Sequence, residues 1–430
     1  MKALLSIAAR SAWNRRGTLA LVVLSIALAT ALLLSLERLR TDIRSSFAQA
    51  VSGTDLVVGA RTGPVQLMLY AVFRVGGASN NIRMDSVRAL AAHRAVAWTV
   101  PISLGDSHRG FPVLGTTTDY FTRFAYGERQ PLALAIGQAF DGTLDGLYQA
   151  VIGAEVARAL GYTLGQKIVL AHGLAGLDGA LAAEHADKPF TVVGVLAATG
   201  TPVDRTVHVS LQAIEAIHLD WVGGAQLPAA AGLTIAPEMA RKFDLEPKQV
   251  TAVLVGLKSR AAVFNVQRWV ANYEDEALLA VLPGVALDEL WAVIGPGEKA
   301  LQAMSGLVAV VSLASLVAVV LAGLNERRRE LAVLRAVGAG PRHVLALLAA
   351  EGAMVTGLGA CLGAAVAALA VWAAGPWVQQ AFGIRLEAGA PTLVQWGLFG
   401  AVLAAGMLAS LVPGWRAYRL SLADGLSPRT

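Results

Sequence analysis

The chain has 430 residues, of which 55% are hydrophobic and only 15% charged, against roughly 25% charged in a soluble domain; its mean hydropathy is +0.57. That composition excludes a wholly soluble protein, and the net charge of +5 is accounted for by basic flanks of apolar stretches, not by a nucleic-acid-binding face. The one cysteine, Cys361, lies in an apolar stretch, so a disulfide within the chain is excluded.

Residues 1–16 read as a basic amphipathic helix on the inner membrane face, with Trp13 as an interfacial anchor. Residues 17–36 form the first transmembrane helix. Their apolar core is longer than that of a secretory signal and lacks a small-x-small exit, so the span is read as retained. Residues 37–299 regain charges and turns and form the inserted domain. The second span covers 300–324, a polar segment 325–343 follows, and the third span covers 344–373. A short loop, 374–391, carries only Arg385 and Glu387. The fourth span is 392–415 and the tail 416–430. Arginines cluster before span one, between spans two and three and after span four, which places both termini and 325–343 in the cytoplasm and 37–299 outside it.

The inserted domain reads as mixed α/β. Short β-branched runs at 55–59, 95–100, 110–115, 167–170, 190–196, 206–209 and 251–255 predict strands. Helices are expected from Asp85, as a cap, to about 94, over 153–160 ended by Gly161, over 210–218, and from 261 to about 279. Segments 37–50 and 285–300 are expected to prolong spans one and two as stalk helices. The apolar run at 65–73 lies between glycine-rich turns. It either packs on the domain core or, through Leu67, Met68, Leu69, Tyr70 and Phe73, meets a hydrophobic substrate or partner.

Segment 325–343 is too polar to span a bilayer and too amphipathic to be a plain loop. Leu331, Leu334 and Val337 recur at helical spacing, Arg335 and Glu330 lie on the polar remainder, and Gly338, Gly340 and Pro341 stop the helix. Such a helix between two spans can pass movement of a soluble partner into the membrane. Glu351, two turns into span three, is an intramembrane charge; it pairs with an arginine of the preceding helix or is solvated at the interface. Gly359 and Gly363 permit close helix contact, within the subunit or between subunits.

RELAVLRAVGA at 329–339, the glycine-studded span after Glu351, and VPGWRAYRLSLADGL at 412–426 together resemble the C-terminal signature of FtsX-like permeases, the membrane subunits of type VII, MacB-like ABC systems. VIGAEVARALGYTLGQKIVL at 151–170 with FTVVGVL at 190–196 resembles the periplasmic core domain of that family. The tail departs from the usual proline-alanine-arginine-alanine order. The resemblance implies an α-helical membrane protein of four transmembrane helices, with a large mixed α/β periplasmic domain inserted between helices 1 and 2, in the bacterial inner membrane. It implies a dimer of permeases over a separate ABC ATPase dimer, a periplasmic adaptor or substrate-binding protein, and ATP and Mg held by the ATPase and not by this chain. Arg329, Glu330, Leu331, Leu334, Arg335 and Gly338 match the coupling helix that contacts the ATPase.

No G-x-x-x-x-G-K-[ST] occurs, and Gly295-Pro-Gly-Glu-Lys has the wrong spacing, so no catalytic residues are assigned. The histidines, at 93, 108, 172, 185, 208, 218 and 343, show no ligand spacing, so no metal site is expected. The expected function is ATP-driven mechanotransmission that releases or extrudes a lipoprotein, lipid or hydrophobic small molecule or peptide. The alternative is a non-transporting, FtsX-type signalling permease that controls a periplasmic enzyme.

Overall fold

A computed structural model describes residues 16–50, 52–77, 80–173, 184–222, 225–226, 235–326, 340–382, 386 and 389–419. The expected N-terminal amphipathic helix, the six coupling residues between Arg329 and Gly338, and most of the tail lie outside these residues. Contacts divide the chain into a membrane unit (Met1–Asp42, Ile294–Trp377, Leu386–Thr430) and an inserted unit (Ile43–Val293, Val378–Arg385).

The principal helices are α1 (Arg16–Gln49), α2 (Pro64–Ala71), α3 (Met84–Ala91), α4 (Ala154–Leu160), α5 (Leu211–His218), α6 (Val263–Ala271), α7 (Pro283–Glu326), α8 (Pro341–Phe382) and α9 (Leu393–Arg419). Four of them, α1, α7, α8 and α9, are long and apolar enough to cross a membrane. Helices α1 and α7 also include the expected stalk segments. The loop expected at 374–391 is shorter than the sequence reads: α8 continues through Pro376 to Phe382. An internal proline is tolerated in membrane helices, where neighbouring groups satisfy the carbonyl it frees.

In the membrane unit α1 is the most enclosed span. Leu19, Val22 and Ile26 pack with Leu316, Val344, Leu348 and Val355. Helices α7 and α9 are mostly uncovered.

Among the described residues, the inserted unit is built on one mixed sheet of eleven strands. They are β1 (Leu56–Ala60), β2 (Val96–His108), β3 (Phe111–Thr116), β4 (Leu134–Gly137), β5 (Gln149–Ile152), β6 (Lys167–Ile168), β7 (Ala171–His172), β8 (Phe190–Leu196), β9 (Val207–Ser210), β10 (Ala252–Leu257) and β11 (Leu278–Val281). Their order is β11-β1-β10-β2-β3-β9-β5-β8-β4, with β7 on β2 and β6 on β8. The hairpin joining β2 to β3 turns on Arg109 and Gly110, both at positive φ (47° and 81°), the geometry that matches strand twist.

Local chemistry explains two of the helix ends. The Ser210 hydroxyl accepts the amide of Ala213 at 3.1 Å and caps α5. Gly161 ends α4 in the left-handed region at φ 67°. Asp85 is not the cap of α3: Arg83 holds that position, and Asp85 lies in the first turn, where its charge complements the helix dipole. The helix expected to run to about 279 stops at Ala271, because Leu278–Val281 pairs instead with β1.

Of the two readings of the apolar run at 65–73, the structure favours core packing over a substrate or partner contact through Leu67, Met68, Leu69, Tyr70 and Phe73. Leu67, Met68, Tyr70 and Phe73 are buried and Leu69 is partly buried. All but Tyr70 belong to a cluster with Val57, Val100, Leu114 and Leu254. A Cβ at Gly59 would come within 2.6 Å of Leu67 Cδ1, so glycine on β1 makes room for this helix. Phe73 also stacks on Phe47 at 4.3 Å.

Candidate functional sites in the two units

In the membrane unit, α8 presents Gly359 and Gly363 to α1. A Cβ at Gly359 would lie 2.8 Å from Ile26 Cβ, and one at Gly363 would lie 2.5 Å from the Ala27 carbonyl oxygen and 2.6 Å from Thr30 Cβ. Close approach of this kind substitutes for the hydrophobic driving force that lipid removes. The glycine pair therefore packs within the subunit. On another part of α8, Gly352 meets Ser410, and Gly406 of α9 meets Thr356.

Glu351 is buried, 3% exposed, so it does not face the aqueous interface. A second charged layer lies further along α1. Arg38 donates to Asp42 at 3.1 Å and to the Ala390 carbonyl at 3.2 Å. Arg40 bridges Glu37 (3.3 Å) and Glu298 of α7 (3.1 Å). Charges held in such a layer persist where partners neutralise them. Beside Arg38 lies a cavity of about 320 Å³, walled mainly by apolar groups including Leu34, Ala364, Val371, Trp396 and Phe399.

In the inserted unit the histidines do not stand singly, as their spacing leads one to expect. The β2–β7 pairing sets His172 opposite Asp106. Helix α5 ends on His218. His185 follows an isolated bridge between Ala171 and Glu184. Nδ1 of His172 lies 3.3 Å from Asp106 Oδ1 and 3.2 Å from Nε2 of His218, which is itself 3.5 Å from that oxygen. One donor atom from each of Asp106, His172, His185 and His218 lies within 4.8 Å of the others. Trp221 packs on His185 at 4.3 Å between ring centroids.

The electrostatics follow the geometry. Burial alone would raise the Asp106 carboxyl, but hydrogen bonds with His172 and His218 outweigh it and bring it to about 2. Burial pushes His185 down to about 4, so its ring is neutral at pH 7. Burial also acts to lower His218, but the bond to Asp106 and its charge prevail and the net shift is upward. Two other histidines pack within the domain: His108 sits 2.9 Å from the Tyr162 hydroxyl, and His208 is buried beneath Tyr120. No sequence signal marked the cluster, because its four residues lie on separate elements across more than a hundred positions.

The model of the MacB-like periplasmic core domain matches residues 17–273, and that of the FtsX-like permease C-terminal matches 303–422. The chain belongs to the MacB/FtsX-like permease family. The first match takes in α1 and the inserted unit as far as α6. The second takes in most of α7, the segment 325–343, α8 and α9. The permease is thus a multi-pass membrane subunit of a type VII ABC transporter, a family that works with a partner ATPase. The permease is similar in structure to the periplasmic region of MacB from Actinobacillus actinomycetemcomitans, at 10% identity over 56% of this chain and 94% of that one (TM-score 0.34). It is also similar to the extracellular domain of the noncanonic ABC-type transporter YknZ from Gram-positive bacteria, at 13% identity over 53% and 98% (TM-score 0.29). No curated protein matches the permease.

Proposed function

We propose that the permease converts ATP hydrolysis by a separate ABC ATPase into movement of its periplasmic domain, and that this movement releases or extrudes a lipoprotein, lipid or hydrophobic small molecule or peptide. The observation that carries the reading is the order of parts. A MacB-like core domain is inserted between two spans and an FtsX-like C-terminal half follows, while the 430 residues contain no phosphate-cradling G-x-x-x-x-G-K-[ST] motif. ATP and Mg belong to the ATPase, and the coupling residues Arg329, Glu330, Leu331, Leu334, Arg335 and Gly338 are assigned to its docking. The apolar cavity beside Arg38 supports a hydrophobic cargo better than the 65–73 segment, whose side chains the core consumes.

The arginine distribution favours an inner-membrane topology with both termini and 325–343 in the cytoplasm. In a Cys361→Ala background, a cysteine at the exposed Asp145 is expected to react with an impermeant maleimide in intact spheroplasts. One at Ser427 is expected to react only after lysis. Equal labelling of both before lysis would refute this orientation.

Each chain supplies one coupling segment, whereas an ATPase pair presents two clefts, so a C2 dimer of permeases is the simplest assembly. Exposed apolar stripes at Leu21, Leu24, Leu28 and Leu32 of α1, and at Leu301, Met304, Val308 and Val311 of α7, have the spacing of helix-packing faces. They support a seam at α1 and α7. Cysteines at the exposed Ala48 and Ala292 are expected to crosslink between permeases, with yields that change on ATP binding. A single permease per ATPase pair, or crosslinking indifferent to nucleotide, would overturn the dimer. An adaptor or substrate-binding protein outside the membrane completes the proposed assembly.

A further inference from the structure

We propose that Asp106, His172, His185 and His218 bind one divalent transition-metal ion of the zinc class on the periplasmic domain. The argument starts from donor geometry. Zinc bonds to imidazole nitrogen and carboxylate oxygen are about 2.0–2.1 Å long, so tetrahedral ligands lie about 3.3 Å apart. The separations among His172 Nδ1, His218 Nε2 and Asp106 Oδ1 are 3.2, 3.3 and 3.5 Å. These three atoms already form one face of such a tetrahedron. Three imidazoles and a carboxylate also suit zinc by ligand type.

The fourth corner rests on an independent observation. His185 is fully buried, and among the described residues neither of its ring nitrogens has a hydrogen-bond partner. Buried polar groups are almost always paired, and those that are not call for an explanation. A cation at the centre of the cluster supplies one, because it takes a lone pair from a nitrogen within 4.8 Å of the other donors.

The surroundings orient the ligands as metal sites require. Nδ1 of His218 lies 2.7 Å from the Ile214 carbonyl, which only accepts, so Nδ1 carries a hydrogen; the proton on Nε2, which faces Asp106, would be released on metal binding and leave its lone pair turned to the cluster. Trp221 packs against His185 and His172 and limits their rotation. The side chains of His172 and His218 remain 40% and 27% exposed, which leaves an entry path from solvent. The bound ion would tie β2, β7, the segment at His185 and the end of α5 to one point.

The test uses full-length permease in detergent, freed of any histidine tag, stripped with EDTA and titrated with Zn²⁺ and with Co²⁺. We expect one equivalent of zinc by elemental analysis, and intense visible Co²⁺ bands of a tetrahedral site. A zinc-dependent rise in the unfolding temperature should accompany them. His172→Gln, His185→Gln and Asp106→Asn should each weaken zinc binding by at least the roughly 10–100-fold that loss of a supporting partner costs, and remove the thermal shift. Absence of stoichiometric binding to the wild type would overturn the site, leaving a cluster that shares only protons. Wild-type affinity in folded His172→Gln and Asp106→Asn variants would overturn it too, by placing the ion elsewhere. His172→Gln alters a partly exposed ring, so it keeps the test decisive if the buried His185 variant fails to fold.

Discussion

Replacing Gly359 and Gly363 together by leucine is expected to abolish the detergent-stable permease. The Cβ atoms would fall 2.8 Å from Ile26 Cβ and 2.5 Å from the Ala27 carbonyl oxygen, and the second of these contacts is backbone that cannot rotate away. Overpacking costs about 1–3 kcal/mol per site, and in lipid no hydrophobic gain offsets a widened gap between helices. Gly357 provides the control. Nothing lies within 4 Å of a Cβ there, so Gly357→Leu should behave as wild type. Monodispersity on size-exclusion chromatography and the unfolding temperature report the outcome. A double variant as stable as Gly357→Leu would show that α1 and α8 do not pack as described.

Exchanging the charges of Glu330 and Arg335, or placing tryptophan at Gly338, is expected to uncouple the ATPase while leaving the permease inserted and folded. The motivation is the sequence pattern: Leu331, Leu334 and Val337 recur at helical spacing, the charges of Glu330 and Arg335 are interspersed among them, and Gly338 stands where the helix is expected to end. A central docking residue typically contributes about 2 kcal/mol or more, so affinity for the ATPase should fall roughly 30-fold. Copurification of the ATPase and its permease-stimulated turnover are the readouts. Unchanged stimulation would remove the coupling role from these residues.

The parts of this protein that the sequence made legible are those in which one physical force dominates. Uncharged runs of the length of a bilayer marked α1, α7, α8 and α9, and β-branched runs marked β1, β2, β3, β6, β8, β9 and β10. The extension of α8 past Pro376 was hidden, because Gly375 and Pro376 read as helix-ending residues in the sequence. Strand β4 was hidden because Leu134–Gly137 is an exposed edge whose only warrant is its pairing with β8. The 65–73 segment was ambiguous for a different reason: apolar composition says that a surface must be covered, not what covers it. The histidine cluster was illegible in principle. Strand register brings His172 to Asp106, and the Ser210 cap fixes where α5 ends and hence where His218 stands. Neither relation exists until the sheet is formed.

The packing of α1 against α8 also sets an order of events during synthesis. Ile26, Ala27 and Thr30 leave the ribosome before the inserted domain, α7 and the two glycines that meet them. At the usual pace of translation that interval is on the order of half a minute. Through it α1 resides in lipid without its partner, held by its own apolar length and basic flank. Insertion and docking of this helix are therefore separate steps. The first is decided by hydropathy and charge, and the second only when the opposing glycines arrive.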